Sequence, residues 1–142
     1  MNVFFDTSSL FKLYHKETGT DELMLLFSAS KINTIFLAEI TKIEFSSVVW
    51  KKCRKNEISE NVALELLEKF ERDSLKFNYI SDTNAVKHRA KNLLRKYWKN
   101  GLRTLDAIQL ASALKMKNKI DLFLTSDKIL AQIALLENFY CR

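Results

Sequence analysis

Four acidic residues of this chain, Asp6, Glu44, Asp106 and Asp127, fall where a strand or loop feeds a helix. In Val3-Phe4-Phe5-Asp6-Thr7-Ser8 and in Leu122-Phe123-Leu124-Thr125-Ser126-Asp127, a short apolar run ends in a carboxylate beside hydroxyl residues. Ligands of open parallel sheets bind outside the carboxyl ends of the strands, so acids at such junctions are expected to share one pocket. Gathered there they would repel one another unless a cation joined them. An all-oxygen donor set is hard and suits Mg²⁺ or Mn²⁺ rather than zinc.

Each acid also has a plainer reading. Asp6 and Asp127 would serve as N-caps of the helices they precede. Thr41-Lys42-Ile43-Glu44 matches a capping box; on the residues alone that box is the preferred account of Glu44, and Glu39 is a rival ligand close by. Asp106 could simply favour the dipole of a helix from its first turn. Its neighbours Leu105, Ala107, Ile108, Leu110 and Ala111 are apolar, however, and burying an unpartnered carboxylate is costly, which tilts Asp106 toward function. No competing constellation stands out. His15 and His88 have no zinc spacing and read as surface side chains, Cys53 has no adjacent base, and there is no G-x-S-x-G, P-loop or Gly-rich dinucleotide turn.

The elements that must position these acids alternate along the chain. Strands are expected at Asn2 to Phe5, Ile32 to Leu37, Leu75 to Ile80 and Leu122 to Thr125, with a short one at Phe139 to Cys141. Helices are expected at Ser8 to Lys16, Thr20 to Ser30, Thr41 to Asn56, Ser59 to Ser74, Asp82 to Asn100, Thr104 to Lys117 and Asp127 to Leu136, with Gly19 and Gly101 as breaks. This order predicts an α/β fold with a mainly parallel sheet covered on both faces. Right-handed crossovers would put the strand-to-helix junctions on one edge. Asp6 and Asp127 would meet there, and Glu44 and Asp106 would reach it from early helical turns.

With 142 residues, 47% of them hydrophobic, one domain spanning 1–142 is expected, burying roughly two-thirds of its unfolded surface. No apolar run approaches the ~20 residues of a membrane span, and Asp6 interrupts any signal-peptide pattern, so a cytoplasmic protein without membrane contact is expected. Cys53 and Cys141 read as reduced structural thiols. The net charge is +6, from 23 Lys and Arg against 17 Asp and Glu. Thr83 to Leu105 carries Lys87, Arg89, Lys91, Arg95, Lys96, Lys99 and Arg103 and no acid, and Lys51, Lys52, Arg54 and Lys55 form a second cluster. Basic patches around an acidic pocket suit a polyanion reached through a metal; a solvated helix face is the alternative for either cluster.

The residues resemble the PIN-domain family, and within it the VapC-type toxins of bacterial toxin–antitoxin modules. The resemblance spans essentially the whole chain. It rests on Phe5-Asp6-Thr7-Ser8-Ser9, Thr41-Lys42-Ile43-Glu44-Phe45, Leu124-Thr125-Ser126-Asp127-Lys128-Ile129-Leu130 and, most specifically, Leu102-Arg103-Thr104-Leu105-Asp106-Ala107-Ile108-Gln109-Leu110-Ala111. It implies a PIN-like α/β/α sandwich and a Mg²⁺- or Mn²⁺-dependent endoribonuclease. The family's acidic positions fall on Asp6, Glu44, Asp106 and Asp127, which reverses the capping-box preference at Glu44, and its hydroxyl residues fall on Ser8 and Thr125. It further implies a homodimer and a cognate antitoxin in the active-site groove. Gly101 stands where many relatives carry proline, and the C-terminal end is shorter than in many.

On this reading the four carboxylates hold one or two ions that bind the scissile phosphate and activate water. Lys51, Lys52, Arg54, Lys91, Arg95 and Lys99 would contact the RNA backbone, and Tyr97 or Trp98 would stack on bases. Leu10, Phe11, Leu13 and Tyr14 are candidates for a dimer or antitoxin surface, with core packing as the safer reading. The alternatives are a non-catalytic RNA-binding module, a DNA nuclease of related fold, and a phosphatase or phosphoacceptor with Asp6 as nucleophile. The phosphatase version expects a second Asp two residues on, where Ser8 stands.

Overall fold

A computed structural model describes residues 1–29 and 31–141. Strands β1 (Asn2–Phe5), β2 (Thr34–Ala38), β3 (Asn78–Ile80) and β4 (Leu122–Leu124) form one sheet in the order β3-β2-β1-β4. All pairings are parallel: Phe5 lies opposite Leu37 on one side and Leu124 on the other. The helices are α1 (Thr7–Phe11), α2 (Thr20–Ala29), α3 (Thr41–Arg54), α4 (Glu60–Asp73), α5 (Asn84–Tyr97), α6 (Thr104–Lys115) and α7 (Lys128–Leu136). None is long and apolar enough to cross a membrane.

Successive strand residues face opposite ways, and two cores follow. Phe4, Phe36, Ala38, Ile80 and Phe123 pack against α5, α6 and α7. Val3, Phe5, Leu37 and Leu124 pack against α1, α2, α3 and α4. The strands are therefore apolar throughout, as a sheet covered on both faces requires. Phe4 and Phe123 stack at 5.1 Å in the first core, and Phe45 and Phe70 at 4.1 Å in the second. Each such burial contributes about 1.5–3 kcal/mol. Leu10 and Phe11 belong to this second core, and Leu13 and Tyr14 pack against it, so core packing is the correct reading of those residues.

The expected elements are present with altered ends, except the last short strand. The first helix stops at Phe11 rather than Lys16, because Lys12, Leu13 and Tyr14 donate to the third residue back and tighten into turns. Ser30, expected to end α2, lies outside the described residues, as does Arg142. The second strand starts at Thr34, where β1 first offers a partner. Leu75 stands in a 3₁₀ turn (Ser74–Lys76), fully exposed, and β3 begins only at Asn78, opposite Phe36. The segment 139–141 makes a single parallel bridge between Cys141 and Phe123 instead of a strand. Gly101 ends a 3₁₀ turn (Trp98–Asn100) with φ +86°. Proline, fixed near −65°, could not take that conformation, so the chain enters α6 by a glycine turn.

Candidate active site

The four acids meet at the carboxyl edge of the sheet. Asp6 follows β1, and its amide donates to the Leu124 carbonyl at 3.0 Å, joining the ends of β1 and β4. Its side chain is only 3% exposed. Oδ1 accepts from the Ser9 amide at 2.9 Å and the Ser8 hydroxyl at 2.7 Å, and Oδ2 accepts from the Thr125 hydroxyl. Asp6 is thus the N-cap of α1, as its plainer reading held, and also a buried carboxylate at the sheet edge. Burial pushes its carboxyl up to about 6; Thr125, Ser9 and Ser8 oppose that, and the nearby charge of Glu44 adds to it.

Asp127 caps α7: Oδ1 accepts from the Leu130 amide at 2.8 Å, and its own amide donates to the Thr125 hydroxyl at 3.0 Å. Thr125 therefore links Asp6 to Asp127. Ser8 makes a second link, since its hydroxyl accepts from the Ser126 amide at 3.1 Å.

Glu44 lies in the first turn of α3, whose N-cap is Ile40 and not Thr41. The Thr41 hydroxyl hydrogen-bonds with that of Thr7 at 3.1 Å instead of capping the helix. The capping box is therefore absent. Glu44 Oε1 accepts from the Thr7 hydroxyl at 3.1 Å and from Gln109 Nε2 at 2.7 Å. The same Gln109 nitrogen reaches Thr7 at 3.2 Å and Thr41 at 3.0 Å. Thr7, Thr41 and Gln109 are buried, and together they fix the Glu44 carboxylate from α1, α3 and α6. Sequence reasoning missed Gln109. The signal was there: it follows Asp106 by three residues, on the same helical face, and is polar within an otherwise apolar stretch. Glu39 is exposed, and its carboxylate makes no hydrogen bond or ion pair among the described residues.

Asp106 is half-buried in the first turn of α6, and its carboxylate makes no hydrogen bond among the described residues. Burial raises its carboxyl to about 6, reinforced by the charges of Asp127, Asp6 and Glu44 and opposed by Arg103. One carboxylate feels the other three, and that is the electrostatic signature of a cluster.

The carboxylates repel across a gap. No three His, Cys, Asp or Glu side chains among the described residues close tightly enough to hold an ion as they stand. The donor chemistry nevertheless fits a hard divalent cation. Protein hydrogen bonds occupy one oxygen of Glu44 and one of Asp127, and neither of Asp106. Free carboxylate oxygens thus remain on Glu44, Asp106 and Asp127, hard donors of the kind such a cation takes.

Of the expected RNA contacts, Lys51, Arg54, Lys91, Arg95 and Lys99 are exposed. Lys52, also expected to contact RNA, is only partly exposed and is paired with Glu17 at 3.3 Å and Glu57 at 3.4 Å. Tyr97 is buried, with its hydroxyl donating to Glu137, whereas Trp98 is exposed. Core packing therefore claims Tyr97 and leaves Trp98 available.

The PIN domain family model matches residues 3–136. The chain belongs to the PIN domain family. No curated protein matches it by sequence. Its similarity to solved structures is one of fold. VapC20 of Mycobacterium tuberculosis, a toxin cleaving the sarcin–ricin loop, is 14% identical with a TM-score of 0.72, over 92% of this chain and 94% of that one. FitAcB of Neisseria gonorrhoeae is 12% identical with a TM-score of 0.70, over 98% and 95%. A toxin–antitoxin complex from Klebsiella pneumoniae is 21% identical with a TM-score of 0.66, over 92% of each chain. This PIN domain thus shares its fold with those structures over nearly its whole length.

Proposed function

We propose that this PIN domain is a Mg²⁺- or Mn²⁺-dependent endoribonuclease and the toxin of a toxin–antitoxin pair. The observation that carries the reading is the placement of four acids beyond the carboxyl ends of one parallel sheet, with Asp6 after β1, Asp127 after β4, and Glu44 and Asp106 in the first turns of α3 and α6. Such a site is unfavourable by itself and becomes favourable around a divalent cation. The toxin assignment draws on two of the fold neighbours, a toxin and a toxin–antitoxin complex, and an antitoxin protein is the partner they suggest. A homodimer is part of the same proposal.

Asp6, Glu44, Asp106 and Asp127 would hold the metal, which supplies Lewis-acid charge for a phosphodiester and an activated water. The chain's own residues do the positioning. Ser8, Ser9 and Thr125 lock Asp6, and Gln109 and Thr7 lock Glu44. Side-chain rotation is thus removed before substrate arrives. Lys51, Arg54, Lys91, Arg95 and Lys99 would bind backbone phosphates with little regard for sequence.

The test is incubation of partner-free protein with tRNA and rRNA under Mg²⁺, Mn²⁺ or excess EDTA, beside an Asp106→Asn control. Discrete fragments that need metal and vanish in the control are the expected result. Cleavage undiminished in EDTA would overturn the metal mechanism. RNA binding without turnover by folded protein would leave a non-catalytic module, and fragments from DNA alone would make it a DNA nuclease.

A further inference from the structure

We propose that the cavity between α1, α2 and the end of β4 is a base pocket that receives a guanine of the RNA beside the scissile phosphate. The proposal rests on the ribonuclease reading above and names a specificity element for the same site. The cavity has a volume of about 370 Å³, the scale of a small-ligand pocket. It opens directly beside Asp6: Ser9 and Thr125 both line it, and both donate to the Asp6 carboxylate. A nucleotide whose phosphate lay at the acidic cluster would have its neighbouring base within reach of this opening.

The lining suits a base better than a phosphate. Leu23 and Leu124 are buried and Leu26 half-buried, giving an apolar floor for a planar ring. The rim carries one cation, Lys12, and one carboxylate, Glu22. Gly19 leaves room for the Lys12 side chain: a Cβ there would stand 2.6 Å from its ammonium, which would have to move aside. The φ of +93° at Gly19 independently favours glycine. No described carboxylate pairs with Lys12, whereas its neighbours Lys16 and Lys52 are paired with Asp21 and with Glu17 and Glu57.

An ammonium and a carboxylate on one rim select a base with acceptors and donors side by side. Guanine offers O6 and N7 to a lysine, and its N1–H and N2 amino group to a carboxylate. Adenine presents an amino group where guanine has O6, and uracil has no amino group. Cytosine is the nearest competitor, with a single amino donor. Unpaired bases of single-stranded RNA expose these edges.

The experiment has two arms. In the first, GMP, AMP, CMP and UMP are titrated separately into the Asp106→Asn chain, and the backbone amides of Gly19, Leu23 and Ser126 are followed by NMR. In the second, cut sites in a random single-stranded RNA are mapped for the unsubstituted protein, Lys12→Met and Glu22→Gln. The expected result is GMP binding roughly ten-fold tighter than the other nucleotides, on the scale of one good base contact. It is joined by a guanine at one fixed position relative to the cut, with the preference relaxed in both variants. Glu22 is exposed, so its variant keeps the question open to test should Lys12→Met fail to fold. Amide shifts absent with GMP, or equal for all four nucleotides, overturn the proposal, as does an unchanged cut-site preference in the variants. Shifts produced by a peptide and by no nucleotide would mark the cavity as a protein-docking site and overturn it too. If no RNA is cut, the ribonuclease reading fails, and the GMP titration alone still decides whether the pocket binds guanine.

Discussion

Gln109 donates a 2.7 Å hydrogen bond to Glu44 from one turn beyond Asp106 on α6. A single helix thus supplies one acid of the cluster and the clamp on another. Gln109 is 2% exposed and its amide nitrogen also faces Thr7 and Thr41. Replacing it leaves buried hydroxyls and a carboxylate short of a donor, a loss of about 1–3 kcal/mol. Gln109→Leu is expected to lower stability by that amount and to cut turnover roughly ten-fold or more, as Glu44 gains rotational freedom. Urea melts beside single-turnover cleavage check this; a variant with unchanged turnover would show that Glu44 needs no clamp.

The pH dependence of stability has an unusual sign. Burial raises Asp6 and Asp106 from 3.8 to about 6. Between those values the folded chain holds more protons than the unfolded one, so stability of the metal-free protein falls as pH rises through that interval. The loss is on the order of 1–3 kcal/mol in total after allowing for the partial exposure of Asp106. Urea melts in EDTA at pH 5 and pH 7.5 should show the higher midpoint at pH 5. Adding Mn²⁺ should help more at pH 7.5, because ligands must be deprotonated to bind. Equal midpoints in EDTA would mean that the carboxylates do not strain the fold.

Asp106→Asn removes the charge on which the other three act. In EDTA at pH 7.5 the variant is expected to melt above the unsubstituted protein, by roughly 1 kcal/mol, while losing cleavage and most of the stabilisation by Mn²⁺. Calorimetry with and without metal measures both effects. A variant less stable in EDTA would contradict the repulsion argument.

Thr125 donates to Asp6 and accepts from the Asp127 amide. It is foremost among the hydrogen bonds that restrain the rise of the Asp6 carboxyl. In Thr125→Val that carboxyl should rise further above about 6, so the acid limb of the pH–rate profile moves to higher pH. The stability cost is about 1–3 kcal/mol. A profile that keeps its acid limb would show that ionisation of Asp6 does not limit the rate.

Among the surface cations, pairing separates the candidates. Lys91 and Arg95 are exposed and outside the ion pairs of the described residues, whereas Lys52 is bound to Glu17 and Glu57. Lys91→Ala and Arg95→Ala should each lower the salt slope of RNA binding by about 0.7, the single-strand value per phosphate contact, and Lys52→Ala should leave it unchanged. Binding of Asp106→Asn to RNA over a salt series decides this; a lowered slope for Lys52→Ala would show that it leaves its carboxylates for phosphate.

The amino-acid sequence by itself determined the α/β order, the parallel sheet and the acids, because these are written locally. Apolar runs of strand length alternate with helical spacing, and Asp6 and Asp127 follow their strands directly. Element ends were less legible, since Thr34 and Asn78 start strands only where a neighbouring strand offers a partner. At Glu44 the local letters favoured a capping box that the fold does not form, and only the resemblance of the longer motif pointed away from it. A capping box and a site carboxylate share the same letters, and only the arrival of Thr7 and Gln109 from α1 and α6 separates them. The mutual repulsion at Asp106, the neutralisation of Lys52 by Glu17 and Glu57, and the seat of Lys12 against Gly19 were likewise decided by tertiary structure alone. Each depends on how the chain folds back on itself in space, and the residue letters do not encode that distance.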